Sequence, residues 1–168
     1  MAARGWRTNQ PPAKSRDTTF AFAAGYDLNP NADITLVYGG VNDYIHGDAP
    51  FGNLTDATPA TFCGAVDFLM RLLKTLYPEQ TVAFLTPAPL NHNGLNGKTD
   101  AKPLKDYCEV LMLKGQEYNI PVLHLQTALG IDPNSPAQKQ QYTADGLHFN
   151  DAGHGVLAQC VAEFLKGL

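Results

Sequence analysis

Three short runs of β-branched, aromatic and other apolar residues alternate along the chain with longer segments in which apolar residues recur every three or four positions. The runs predict buried strands, namely I-T-L-V-Y (34–38), T-V-A-F-L-T (81–86) and I-P-V-L-H-L (120–125). The periodic segments predict amphipathic helices over about 59–77, 102–118 and 151–165. This repeated alternation of strand and helix predicts an α/β domain with a parallel sheet.

Capping residues and prolines mark the expected ends of these elements. Thr58 and Pro59 predict the N-cap and first residue of the first helix, and Pro78 predicts its end. The segments 91–100 and 132–136 are rich in Asn, Gly and Pro and are predicted to be loops. The helix that follows each strand therefore has defined limits, and the polar residues between elements can be assigned to loops.

The first 32 residues do not share this organisation. Their apolar run is short, F-A-F-A-A (20–24), and nothing before Asp33 has the pattern of a strand. We expect one domain over residues 1–168, made of an irregular segment (1–32) and an α/β core (33–168). An α/β domain that begins with a long loop is unusual, and this suggests that its first strand is missing.

Composition narrows the functional classes. The chain has 168 residues, 44% of them hydrophobic and 17% charged, which is typical of one globular domain. The formal net charge is −4 and the 12 basic residues are scattered, so no nucleic-acid surface is expected. The apolar runs are too short to cross a bilayer, and the first twelve residues lack the apolar core of a signal peptide. We therefore expect a cytoplasmic protein that does not bind a membrane.

Two polar clusters carry candidate chemistry. Asn42 and Asp43 follow the first strand, and in a parallel sheet ligands bind outside the carboxyl ends of the strands. Asn42 is either a turn residue or a side-chain N–H donor to a developing oxyanion. In the second cluster Asp145 and His148 are three residues apart, so the carboxylate can fix one imidazole nitrogen and leave the other to act as a base. The alternative is that Asp145 only caps a turn while His148 contacts backbone.

Histidines near these clusters are weaker candidates. His46 follows the Asn42 loop and His92 follows the second strand, so each is expected either to contact substrate or to lie on an exposed loop. The spacing of Asp43, His46, Asp145 and His148 matches no metal template, and no metal site is predicted. Three widely separated cysteines are expected to be small buried residues and not disulfide partners, namely Cys63, Cys108 and Cys160.

Taken together, the two clusters resemble the SGNH hydrolases, also called the GDSL-like lipase/acylhydrolase family. G-G-V-N-D matches the family's G-x-N-D block at Gly40, Asn42 and Asp43, and D-G-L-H matches its D-x-x-H block at Asp145 and His148. The resemblance implies that His148 is the general base, Asp145 its orienting carboxylate and Asn42 an oxyanion donor. By the same resemblance Gly40 lets the backbone approach the site, and Asp43 is expected to hold the shape of the loop.

This resemblance covers residues 33–168 and also implies a fold and a reaction. The implied fold is a three-layer α/β/α sandwich with a flavodoxin-like parallel sheet, here without its first strand. The implied reaction is hydrolysis of a small ester or an acylated carbohydrate through an acyl-enzyme on a serine, with no metal and no other cofactor.

Two family blocks are not matched in the sequence. No G-D-S motif is present to supply the nucleophile, and no glycine matches the second block, whose backbone N–H is the other oxyanion donor in the family. The two serines, Ser15 and Ser135, are predicted loop residues. Three explanations stay open. The chain is an N-terminally shortened hydrolase with impaired or no activity; or a second copy completes the unpaired sheet edge in a homodimer; or the chain is a non-catalytic relative that binds an acylated ligand or serves as an assembly module.

Overall fold

The computed structural model describes residue 29 and residues 31–47, 49–91 and 102–168. In these residues three strands form one parallel sheet in the order β1-β2-β3, namely β1 (Ile34–Tyr38), β2 (Thr81–Leu85) and β3 (Val122–Leu123). The helices of the described part are α1 (Val41–His46), α2 (Phe62–Leu76), α3 (Leu104–Tyr118), α4 (Leu125–Ala128), α5 (Pro136–Tyr142) and α6 (Asp151–Lys166). The predicted α/β class and parallel sheet are confirmed.

Helices cover both faces of the sheet. Val37 pairs with Phe84 in the β1–β2 register, and both side chains pack into a core cluster with α2 and α3. Tyr38 pairs with Leu85, and these side chains point to the opposite face, where they pack with the partly buried apolar side of α6. Successive residues of a strand face opposite sides, so the alternation of these pairs produces the predicted α/β/α layers.

The start of α2 differs from its prediction. The N-cap is Thr61 and not Thr58, because the Thr61 hydroxyl accepts from the Gly64 N–H at 3.1 Å and donates to Asp56 at 2.8 Å. The backbone of Thr58 instead packs so closely against Gly64 that a Cβ there would collide with the Thr58 carbonyl oxygen. The Thr-Pro pair therefore belongs to the preceding turn.

The third strand is shorter than predicted. The Leu125 N–H donates to the Thr86 hydroxyl at 3.0 Å, and the chain turns there into α4. Two more short helices lie in segments for which the sequence pattern predicts no helix: α1 directly follows the Gly pair, and α5 begins at Pro136, the last residue of the predicted 132–136 loop. Helices this short lack the repeated apolar spacing that identifies a helix in a sequence.

A buried ion pair joins α2 to α3. The Lys114 ammonium lies 2.9 Å from Asp67 Oδ1, and these side chains are only 6% and 5% exposed. Asp67 also accepts from Tyr118 and from Arg71 Nε, while Lys114 also contacts Glu117 at 2.8 Å. Every charge of the cluster thus has a partner, as burial requires.

We expect Lys114→Met to lower the free energy of unfolding by about 3 kcal/mol, because it leaves the Asp67 carboxylate buried without its ammonium partner. The matched control is Lys166→Met, which removes an exposed pair with Glu163 and should cost less than about 1 kcal/mol. Urea denaturation of both variants measures the difference. Equal losses would show that the buried pair contributes no more to the free energy of unfolding than the exposed pair does.

Candidate active site

A sharp glycine turn positions Asn42. β1 ends at Tyr38, and Gly40 then caps α1 with φ +95°, a value that residues with a Cβ rarely adopt. A Cβ at Gly40 would also lie 3.4 Å from the Pro87 ring. Glycine therefore allows α1 to start immediately above the strand end, and Asn42 lies exposed on its first turn, at the edge of the sheet where the sequence predicts the site.

The neighbouring candidates lie on the same short helix or outside the described residues. The Asp43 carbonyl accepts from the Gly47 N–H at 2.9 Å, which closes the last turn of α1. His46 is the final residue of α1 and is half-buried. His92 lies outside the part of the chain that the structure describes, so its predicted substrate contact stays a prediction.

Asp145 and His148 are directly hydrogen-bonded. His148 Nδ1 lies 2.8 Å from Asp145 Oδ2. The other carboxylate oxygen, Oδ1, accepts from the backbone N–H of His148 at 2.8 Å and of Leu147 at 2.9 Å. Asp145 therefore caps the turn with one oxygen and contacts the imidazole with the other, so the interpretation in which Asp145 only caps the turn and His148 contacts backbone does not describe this structure.

These contacts set the charge state of the Asp145 carboxyl. The backbone N–H of His148, then its imidazole, then the Leu147 N–H hold the pKa of Asp145 well below its usual range, so the carboxylate is ionised at neutral pH. An ionised carboxylate can only accept hydrogen bonds, which places a proton on His148 Nδ1. The His148 side chain is 74% exposed, so its other ring nitrogen is open to solvent.

A hydrogen bond from Asn91 ties this turn to the sheet. Gly146, at φ +89°, accepts at its carbonyl oxygen from the Asn91 N–H at 2.9 Å. Asn91 lies six residues after the end of β2, and β2 is the direct neighbour of β1. Both polar clusters therefore lie at the carboxyl edge of the same pair of strands.

An apolar cavity of about 90 Å³ opens beside the Asn42 turn. Residues 39–43 form one wall of the cavity, and apolar side chains of the sheet, α2 and α3 form the others, among them Val37, Phe62, Leu69 and Leu111. The backbone that carries Asn42 thus borders a mainly apolar space.

The described residues show no metal-binding cluster, no activated thiol at Cys63 or Cys108 and no membrane-spanning helix. Among them no group of three or more His, Cys, Asp or Glu side chains could hold a metal ion. Cys63 and Cys108 are buried, and burial raises the pKa of each thiol to about 11, so neither is an activated nucleophile. No described helix has the length and apolar character needed to cross a membrane.

A family model and solved structures of other proteins relate the chain to the same family. The model of the GDSL-like lipase/acylhydrolase family matches residues 1–156, so the chain belongs to that family. A crystal structure of a protein from Lactobacillus plantarum is 29% identical, with a TM-score of 0.79 over 89% of this chain and 72% of that one. A lipase/acylhydrolase from Enterococcus faecalis is 25% identical, with a TM-score of 0.53 over 80% and 62%. No curated protein matches the chain.

Gly146→Ala should weaken the fold by about 1–3 kcal/mol, because alanine at φ +89° is strained and its Cβ would lie 2.6 Å from the Asn91 carbonyl oxygen. Gly155→Ala is the control, since nothing lies within 4 Å of that position in α6 and alanine favours a helix by up to about 1 kcal/mol. Denaturant unfolding compares the two. A stable Gly146→Ala variant would mean that the turn does not need glycine.

Proposed function

We propose that this chain carries the acid–base half of a serine-type ester hydrolase site. The observation that supports this most strongly is the 2.8 Å bond between His148 and Asp145, with an exposed imidazole at the carboxyl edge of the sheet. Family membership supports ester hydrolysis as the reaction class. In the proposed reaction a serine Oγ attacks the acyl carbon as its proton passes to His148 Nε2, and that proton then leaves with the alcohol. Water repeats the cycle and releases the acid.

We assign the oxyanion contact to Asn42. As the acyl carbon becomes tetrahedral, its oxygen gains negative charge, and a fixed N–H donor stabilises that charge. Asn42 is exposed at the strand edge, and the Gly40 turn carries it there. Asp43 supports the loop in this scheme, while His46 and His92 are proposed substrate contacts.

The cavity suggests the size of the acyl group. Its volume of about 90 Å³ is smaller than the roughly 150 Å³ of an engineered apolar cavity that holds benzene. We propose that it takes an acyl chain of only a few carbons, from a small ester or an acylated carbohydrate. No cofactor enters this scheme, and the cytoplasmic location stays a prediction.

The nucleophile is the missing component. Ser15 lies outside the described residues, and Ser135 precedes α5 in the 132–136 loop and not on a turn after a strand. We propose that the sequence is an N-terminally shortened form of the hydrolase, with little or no activity of its own.

The competing proposal is a non-catalytic module that binds an acylated ligand or pairs with a second copy. β1 is an edge strand of the described sheet, and its Ile34 and Leu36 side chains are 45% and 38% exposed. Exposed edge strands are sites of strand pairing between chains.

We expect the 168-residue chain to hydrolyse p-nitrophenyl acetate no faster than its His148→Ala variant, because the base has no serine to activate. A longer polypeptide with an in-frame upstream G-D-S block should turn over the acetate ester and prefer it to the octanoate ester. His148→Ala in that polypeptide should lower the rate by about 10²–10⁴-fold.

Rapid turnover by the 168-residue chain that disappears in His148→Ala would refute the missing-nucleophile proposal. An inactive longer polypeptide, or a closed upstream reading frame together with a dimer by light scattering, would favour the non-catalytic module.

A further inference from the structure

Thr143 is a buried polar residue next to the Asp145–His148 turn. It follows the last residue of α5 and is only 5% exposed. Its hydroxyl donates to the Lys139 carbonyl at 2.7 Å and accepts from the Gly146 N–H at 2.9 Å. Because the first bond uses its proton, the hydroxyl oxygen is oriented to receive the second. Thr143 therefore connects the end of α5 to the centre of the turn.

Two contacts hold the two peptide groups that flank Gly146. The Gly146 N–H, which belongs to the peptide group after Asp145, is held by the Thr143 hydroxyl. The Gly146 carbonyl, which belongs to the peptide group before Leu147, is held by the Asn91 N–H. That second peptide group also carries the Leu147 N–H that donates to Asp145 Oδ1. Rotation on either side of Gly146 is thus restricted.

A third contact closes the turn. The Ala144 N–H donates to the His148 carbonyl at 2.8 Å, and Thr143 forms an antiparallel bridge with Phe149. The two ends of the turn are therefore paired. Thr143 takes part in this pairing through its bridge with Phe149 and also accepts the Gly146 N–H inside the turn.

We propose that Thr143 is a positioning residue for the Asp145–His148 pair: its hydroxyl fixes the Gly146 peptide so that the Leu147 and His148 N–H groups converge on one carboxylate oxygen while the imidazole reaches the other. This inference rests on the proposed function for its catalytic meaning. Its structural content can be tested without any ester turnover, so the two proposals fail independently.

The pKa of the Asp145 carboxyl distinguishes positioning from a merely structural role. That pKa is low because the N–H donors of the turn converge on the carboxylate. A looser turn weakens those bonds, and the pKa then moves toward the ordinary aspartate value of about 3.9. Titratable neighbours of the turn include His148 and Lys139, whose ammonium would lie 3.0 Å from a Cβ at Gly146. Substitution at Thr143 retains both.

The experiment follows the Asp145 carboxyl by carbon-13 NMR during acid titration of the 168-residue chain. We expect Thr143→Val, which has the same shape without the hydroxyl, to raise the pKa of Asp145 by about one unit or more. Thr143→Ser retains the hydroxyl and should keep the low value. Thr75→Val is the control, since it removes an exposed hydroxyl bound to the Arg71 carbonyl on α2 and should leave the pKa of Asp145 unchanged.

A Thr143→Val variant that melts earlier but keeps the low pKa of Asp145 would reduce Thr143 to a structural residue. A Thr143→Ser variant that behaves like the valine variant would also overturn the proposal. If Thr143→Val does not fold, hydrogen exchange of the unmodified chain decides the question. The Gly146 amide is expected to exchange slowly, and exchange at the rate of an unprotected peptide amide would contradict its bond to the Thr143 hydroxyl.

Discussion

The Asp145 carboxylate receives three N–H groups, and the geometry of the candidate site depends on that convergence. Two donors are backbone groups of the turn and the third is the His148 imidazole. The same two oxygens therefore hold the turn together through hydrogen bonds and stabilise the ionised carboxylate. They also determine which nitrogen of the imidazole remains open to solvent. Loss of this acceptor would remove the partner of all three N–H groups, so the shape of the turn and the orientation of the imidazole depend on the same residue.

The fold places this turn where ligands reach a parallel sheet. Asn91 connects the turn to the chain leaving β2, and the Gly40 turn carries Asn42 from the end of the adjacent β1. On one face of the sheet the buried Asp67–Lys114 pair joins α2 to α3, which line the cavity beside Asn42. The Asp145–His148 turn, Asn42 and the apolar cavity are thus each tied to the carboxyl end of β1 or β2, although they come from distant parts of the sequence.

Much of this arrangement follows from the sequence because it depends on local patterns. Apolar runs and helical spacing predict β1, β2, α3 and α6 within about two residues, and the three-residue separation of Asp145 and His148 predicts their contact. The short helices, the Thr61 cap and the early end of β3 could not be predicted in this way. The short helices lack repeated apolar spacing. The Thr61 cap goes with the close approach of the Thr58 backbone to Gly64, and the early end of β3 goes with the hydrogen bond from the Leu125 N–H to the Thr86 hydroxyl.

The contacts that hold the Asp145–His148 turn in place could not be predicted from sequence patterns either. Gly146 follows Asp145 directly, and a glycine at that place is consistent with a left-handed turn. Nothing in the sequence connects the turn to Asn91, more than fifty residues earlier, or identifies the Thr143 hydroxyl as buried. Those contacts exist because the loop after β2 and the end of α5 meet in the folded chain.

The central claim is that Asp145 fixes the His148 imidazole with its proton on Nδ1 and leaves Nε2 unprotonated. Long-range proton–nitrogen correlation NMR of the 168-residue chain at pH 9, with His148→Gln to assign the signals, reports the tautomer directly. The structure predicts a protonated Nδ1 and an unprotonated Nε2. A proton on Nε2, or the averaged nitrogen shifts of an unconstrained imidazole, would contradict the account.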